Sequence, residues 1–271
     1  MVSALVLLPV LLVLTYAGGI WFAGFCGIAA CVVVWEFSTL VRLSLPNGMW
    51  LAMLGVVAVV VVTCVGVNPH RAFQVTAAGI AVLALVHLAM QGKIWAATGV
   101  AYAAMPFLAL VLLRGDTEKG LHAILFVFAC VIATDTFAYF AGRAIGGPRL
   151  APKTSPNKTW SGFFGGLAGS VIVSLALLAL LGYAPGWRPA VLALVLSLFS
   201  QGGDLFESWI KRRFDKKDSG NLIPGHGGLL DRIDGLIFAS MAAWLVAVVL
   251  GAEPFGAASA GSMLIDAIVL P

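Results

Sequence analysis

Charge is what this sequence has least of. Only 10% of its 271 residues are Asp, Glu, Lys or Arg, against about 25% in soluble domains, which excludes an ordinary water-soluble fold. Cysteine is sparse and unpatterned: Cys26, Cys31, Cys64 and Cys130 lie in apolar runs with no CxxC spacing. They read as small packing residues and argue against a zinc ribbon or a disulfide framework. His70, His87 and His122 are isolated and read as interfacial or packed rather than as ligands. No GxxxxGK(S/T) loop and no GxGxxG turn occurs, which removes P-loop and Rossmann nucleotide binding. The N-terminus, MVSALVLLPVLLVLTYAGG, lacks the positive n-region of a signal peptide and reads as a first membrane segment.

What is present is apolar length. Hydrophobic residues make up 61% of the chain, and runs of 18 or more recur along it, the pattern of membrane-crossing helices. The expected fold is all-α, a polytopic integral membrane protein of about nine transmembrane helices. The spans lie near 4–19, 20–41, 49–67, 75–91, 95–113, 120–142, 163–183, 189–208 and 235–251. The first two nearly fuse through Gly18 and Gly19, which admits a re-entrant segment or a tight hairpin there. The stretch 261–270 is too short to cross a ~30 Å core.

Basic residues concentrate in the loops after spans two, four, six and eight, which hold 12 of the 16 Lys and Arg. By the positive-inside rule those loops face the cytoplasm. The N-terminus is expected outside, and an active site is expected at the cytoplasmic face. Residues 1–119 form an N-terminal region of about five spans with little chemistry. Residues 120–271 form a C-terminal catalytic region with cytoplasmic loops 143–162 and 209–234. Residues 114–119 (RGDTEK) are expected to form a short hydrated outer loop. Glu36, near the end of span two, either snorkels to the interface or faces a partner.

The charge that exists is clustered. Twelve of the 28 charged residues fall between Asp204 and Asp234, with carboxylates at both ends and cations between. Asp204 and Ser208 lie on one helical stripe, and Glu207 and Lys211 on the next. Asp231 and Asp234 sit one turn apart at a helix start, where the macrodipole favours carboxylates. Gly225, Gly227 and Gly228 flank His226 and allow close backbone approach to a ligand. Two helix ends joined by a loop of about 20 residues can bring Asp204 and Asp231 together, and such a carboxylate pair suits Mg²⁺. Upstream, Asp135, Tyr139 and Arg143 share one face at i, i+4 and i+8, as a cavity lining or an Asp–Arg brace. The loop GGPRLAPKTSPNKTWSG offers Lys153, Asn157, Lys158, hydroxyls and stiffening prolines, the donor set that phosphate oxygens accept.

These residues carry a resemblance. The run from Ser208 through Lys211 and Arg212, Lys217 and Asp218, Pro224 and His226 to Asp231, Arg232 and Asp234 resembles the signature of CDP-diacylglycerol synthases (phosphatidate cytidylyltransferases). GDLFES, DTFAYFAGR and SPNKTWSG also look like family segments, although the family often has Lys where this chain has Asn157. The resemblance implies a nucleotidyltransferase of phospholipid biosynthesis at a bacterial inner membrane, converting CTP and phosphatidate to CDP-diacylglycerol and pyrophosphate. It implies Mg²⁺, alone or with a second cation, held by Asp204 and Asp231. Lys211, Arg212 and Arg232 are then expected to neutralise phosphates. Asp218, His226, Gly227 and Asp234 shape the loop, with Asp234 a ligand or a brace to Arg212. Asp135, Lys153, Asn157, Lys158 and Ser208 contact substrate. The expected partners are CTP, phosphatidate and membrane lipids, with no nucleic acid, and a homodimer is compatible with them. The rival readings are a CTP-dependent polyprenol or dolichol kinase and, further off, an anion transporter.

Overall fold

The computed structural model describes residues 2–43, parts of 78–89, 94–220, 222, 227–250 and 259–269. The expected spans near 49–67 and 75–91 fall wholly or largely outside them. The helices are α1 (Val2–Ala17), α2 (Gly19–Leu40), α3 (Ile94–Arg114), α4 (Glu118–Ile145), α5 (Trp160–Leu180), α6 (Trp187–Arg213), α7 (Leu230–Val249) and α8 (Ala260–Val269). Among the described residues six of them, α2 to α7, are long and apolar enough to cross a membrane. The chain is thus a helical polytopic membrane protein. With no water in the bilayer core, a backbone must satisfy its hydrogen bonds internally, and helices do so.

Two loop expectations change. The Gly/Pro-rich segment after α4 is not irregular: β1 (Arg149–Ala151) pairs antiparallel with β2 (Ser155–Thr159), Arg149 opposite Thr159 and Ala151 opposite Ser155. Nothing in PRLAPKTSPNKT alternates apolar and polar, so periodicity gives no sign of strands. The loop between α3 and α4 is shorter than RGDTEK suggests, because Arg114 ends α3, and Glu118 and Lys119 begin α4. Arg114 is also buried, at 6% exposure. Its guanidinium donates to the carbonyls of Thr15 (2.6 Å) and Tyr16 (3.0 Å), closing the C-terminal turn of α1 against α3. Gly18, at φ 66°, makes the break between α1 and α2.

Small residues set the helix spacing. On α5, Gly162, Gly165, Gly166 and Gly169 form two overlapping small-xxx-small patterns facing α4, which let helix backbones approach in lipid. A Cβ on Gly162 would stand 2.8 Å from the Ala138 carbonyl, and one on Gly166 3.0 Å from that of Thr134. One on Gly165 would strike the Ala141 side chain. Buried hydroxyls add cross-helix bonds, as where Thr134 on α4 donates to Ser197 on α6 at 2.8 Å. Gly165→Leu is therefore expected to separate α4 from α5 at a cost of about 1–3 kcal/mol. The check is a lower apparent unfolding temperature of the detergent-solubilised protein.

Candidate active site

Helix termini build the site. α6 runs beyond its expected end to Arg213, so Asp204, Glu207, Ser208 and Lys211 all ride on one rigid helix. They are spaced to share a face over two turns. α7 begins at Leu230, placing Asp231 in its first turn and Asp234 one turn further in. Thr159 ends β2 and caps α5 by accepting the Gly162 amide at 3.1 Å, a regular N-cap role. That cap ties the hairpin to the helix that follows.

A cavity of about 520 Å³ opens between α4, the hairpin, α5 and α6. Asp135, Tyr139, Arg143, Asn157, Lys158, Thr159, Gln201 and Asp204 line it. The structure thus brings Asp135, Asn157, Lys158 and Asp204 together from three separated stretches. Lys158 forms an ion pair with Asp204 Oδ2, and Ser208 Oγ lies 3.4 Å from Asp204 Oδ1. Arg143 donates to the Tyr139 hydroxyl at 2.8 Å, so the Asp135–Arg143 brace is replaced by an Arg–Tyr contact one turn away. Gln201 is an addition to the residues singled out by sequence. A polar amide one turn before Asp204 in an apolar span is the signal that marks it.

A second polar centre lies where α6 meets the start of α7. Lys211 Nζ stands 2.8 Å from Asp231 Oδ1 and 3.3 Å from Glu207 Oε2. Asp231 also accepts the Ser219 amide on both oxygens, at 3.1 and 3.0 Å, and the Gly228 amide on Oδ2 at 2.8 Å. Gly227 sits at φ 83°, and a Cβ there would come 2.8 Å from Asp231 Oδ2, so position 227 needs glycine twice over. Glu207, which spacing alone makes half of a surface-type pair, is buried to 1% exposure. Asp234 Oδ1 accepts the Gly235 amide at 2.8 Å. The carboxylates of Asp135 and Asp234 both lie within the electrostatic reach of Asp204, which links the two centres through one residue.

The remaining candidates surround these. Arg212 and Arg232 lie at the facing ends of α6 and α7, Asp218 in the loop between them, and Lys153 in the turn of the hairpin. His226, with Pro224 and Gly225, lies outside the described residues. The residue most understated by sequence is Glu36, which is 1% exposed. Its carboxylate accepts the amides of Leu229 at 2.9 Å and Leu230 at 2.7 Å. Of the two readings open to it, facing a partner is the one the structure shows. Charge-assisted bonds of this kind are worth roughly 1.5–3 kcal/mol each.

Oxygen ligands dominate, and they are the hard donors Mg²⁺ prefers. Among the described residues no group of three or more His, Cys, Asp or Glu is arranged to hold a metal ion. Mg²⁺ commonly takes one or two carboxylates and completes its shell with water and phosphate, and Asp204 at the cavity wall fits that demand. Asp231 fits it less well. Its two oxygens already receive four contacts, from Lys211, Ser219 twice and Gly228, and a carboxylate has about four lone-pair sites.

The model of the cytidylyltransferase family matches residues 1–250. This chain belongs to the cytidylyltransferase family. It is 44% identical over 256 residues to the phosphatidate cytidylyltransferases of Brucella abortus (strain 2308) and Brucella suis biovar 1, covering 93% of each chain. Against the phosphatidate cytidylyltransferase of Staphylococcus saprophyticus it is 46% identical over 140 residues, 51% of this chain and 53% of that one. Family membership therefore reaches into the first 120 residues, where the sequence by itself offers only hydropathy.

Proposed function

We propose that this protein is a phosphatidate cytidylyltransferase, joining CTP and phosphatidate into CDP-diacylglycerol with release of pyrophosphate. What supports the reading is near-full-length identity of 44% to proteins of that name, together with a cavity that gathers acids, cations and phosphate-type donors. A phosphatidate phosphate oxygen attacks the α-phosphorus of CTP, and the bond to the β-phosphate breaks. The nucleophile is ionised at neutral pH, so no strong general base is required. The protein's task is positioning and neutralising charge.

Lys158, Arg143 and Asn157 are placed along the cavity to hold phosphate oxygens, and Lys211, Arg212 and Arg232 supply cations at the helix ends. Bound Mg²⁺ would supply Lewis-acid stabilisation of the triphosphate. Asp204 is its ligand in this reading, with Asp135 and Asp234 in the same electrostatic neighbourhood. Asp231 keeps a ligand role only in a state where Lys211 has left it for a substrate phosphate. The acyl chains remain in lipid and enter laterally between helices.

The basic loops after α4 and α6 face the cytoplasm of a bacterial inner membrane in this reading, and nine spans remain the proposed count. Parity corrects one expectation. With the loops after even-numbered spans inside, an α1 that crosses puts the N-terminus inside as well, not outside.

The deciding experiment measures pyrophosphate release from CTP by the purified protein with and without phosphatidate and Mg²⁺. Release that requires both is expected. Formation of CDP in place of pyrophosphate would assign the protein to the lipid kinases and overturn the reading.

A further inference from the structure

We infer that Glu36, on α2, is a positioning residue for the signature loop, acting on the catalytic centre through the start of α7. The inference rests on the cytidylyltransferase reading for what is being positioned, though not for the contact itself. Glu36 and Asp231 share the job of holding Ser219 and the backbone at residues 228–230. Ser219 sends its amide to Asp231 at 3.0 and 3.1 Å and turns its hydroxyl toward Glu36 Oε2 at 3.5 Å. Gly228 sends its amide to Asp231 at 2.8 Å, and the next two amides, of Leu229 and Leu230, go to the two oxygens of Glu36. Ser219 and residues 228–230 are thus held by two carboxylates, one from each half of the chain.

The amides held by Glu36 have a reason to need it. First-turn amides have no partner within their own helix, and Leu230 is fully buried, so water is a poor substitute. A carboxylate there also lies favourably on the helix dipole. Glycines make room for it: a Cβ on Gly228 would come within 2.7 Å of either Glu36 oxygen, and one on Gly220 within 2.9 Å of Oε1. Loss of the clamp would let the start of α7 turn. Asp231 rides on that turn and Asp234 on the next, and Lys211 follows Asp231.

The test compares the full-length wild type with Glu36→Gln, Glu36→Asp and Gly220→Ala in lipid nanodiscs. Gln keeps the shape but offers one acceptor where two amides need one each. In Glu36→Gln, kcat for CDP-diacylglycerol formation is expected to fall about 10- to 100-fold, the scale of a small misplacement, while KM for CTP changes little. Glu36→Asp should recover part of the loss. Amide exchange at Ser219, Leu229 and Leu230 should accelerate, with that of α4 unchanged. Gly220→Ala leaves Glu36 in place but pushes its carboxylate aside, so it should reproduce both effects even where Glu36→Gln does not fold. It should add little in a Glu36→Gln background, as coupled sites do. Wild-type kcat together with wild-type exchange in any folded Glu36→Gln or Gly220→Ala protein overturns the inference. So does a loss confined to yield and unfolding temperature. If the wild type makes no CDP-diacylglycerol, the functional reading fails, and the exchange measurement still decides whether Glu36 holds the loop.

Discussion

Asp204→Asn is expected to lower CDP-diacylglycerol formation by about 10²–10³-fold, the size of effect seen when one preorganised charge-stabilising group is removed. The side chain occupies the hinge of the site. Lys158 from the hairpin pairs with one oxygen and Ser208 stands at the other. Asp135 across the cavity and Asp234 on α7 both feel its charge. Asn preserves the volume and an acceptor toward Ser208, so folding should survive, while the charge that would hold Mg²⁺ is gone. The loss should therefore appear in turnover, measured as phosphatidate-dependent pyrophosphate release, with little change in apparent unfolding temperature. Raising Mg²⁺ should recover part of it if Asp204 is a ligand. Turnover near that of the wild type in a folded Asp204→Asn protein would remove Asp204 from the site.

Low charge is what makes this chain legible. In a sequence so apolar, each ion costs free energy unless it has a purpose, so the Asp204–Asp234 cluster stands out from the residues alone. Spacing then predicts contacts within one helix correctly: Lys211 does reach Glu207 at i+4, and Ser208 does face Asp204. Contacts between elements are beyond that reasoning. Glu36 meets its amides across 193 and 194 residues, and no periodicity links the end of α2 to the start of α7. Arg114 looks like a cation in a hydrated loop because its partners are backbone carbonyls, of α1 and of the loop itself, which carry no side-chain signature. The hairpin is hidden for a different reason. Its strands are short, polar and proline-bearing, and they are defined by pairing rather than by a buried face. Asp231 shows the remaining gap: composition identifies the carboxylate, but only the fold shows that backbone amides already occupy it.

Lys211→Met should be the most destabilising single change at the site, by about 3–5 kcal/mol. The ammonium is mostly buried between Glu207 and Asp231, at 3.3 and 2.8 Å, and Glu207 is almost wholly sequestered. Removing the cation leaves two carboxylates facing each other in a dry place, and breaking such a group is costlier than never having built it. The same change should abolish CTP turnover, so stability and chemistry must be separated. Lys211→Met combined with Glu207→Gln removes the buried cation and one of its two acidic partners at nearly constant volume. The double variant should regain most of the lost unfolding temperature in detergent. If Lys211 also neutralises substrate phosphates, turnover should stay lost. Recovery of both would make Lys211 a structural counterion alone. Failure to recover stability would mean that Asp231, still charged and held by Ser219 and Gly228, is the group that requires the lysine. In that case the α6–α7 junction depends on the Lys211–Asp231 pair more than on the buried glutamate.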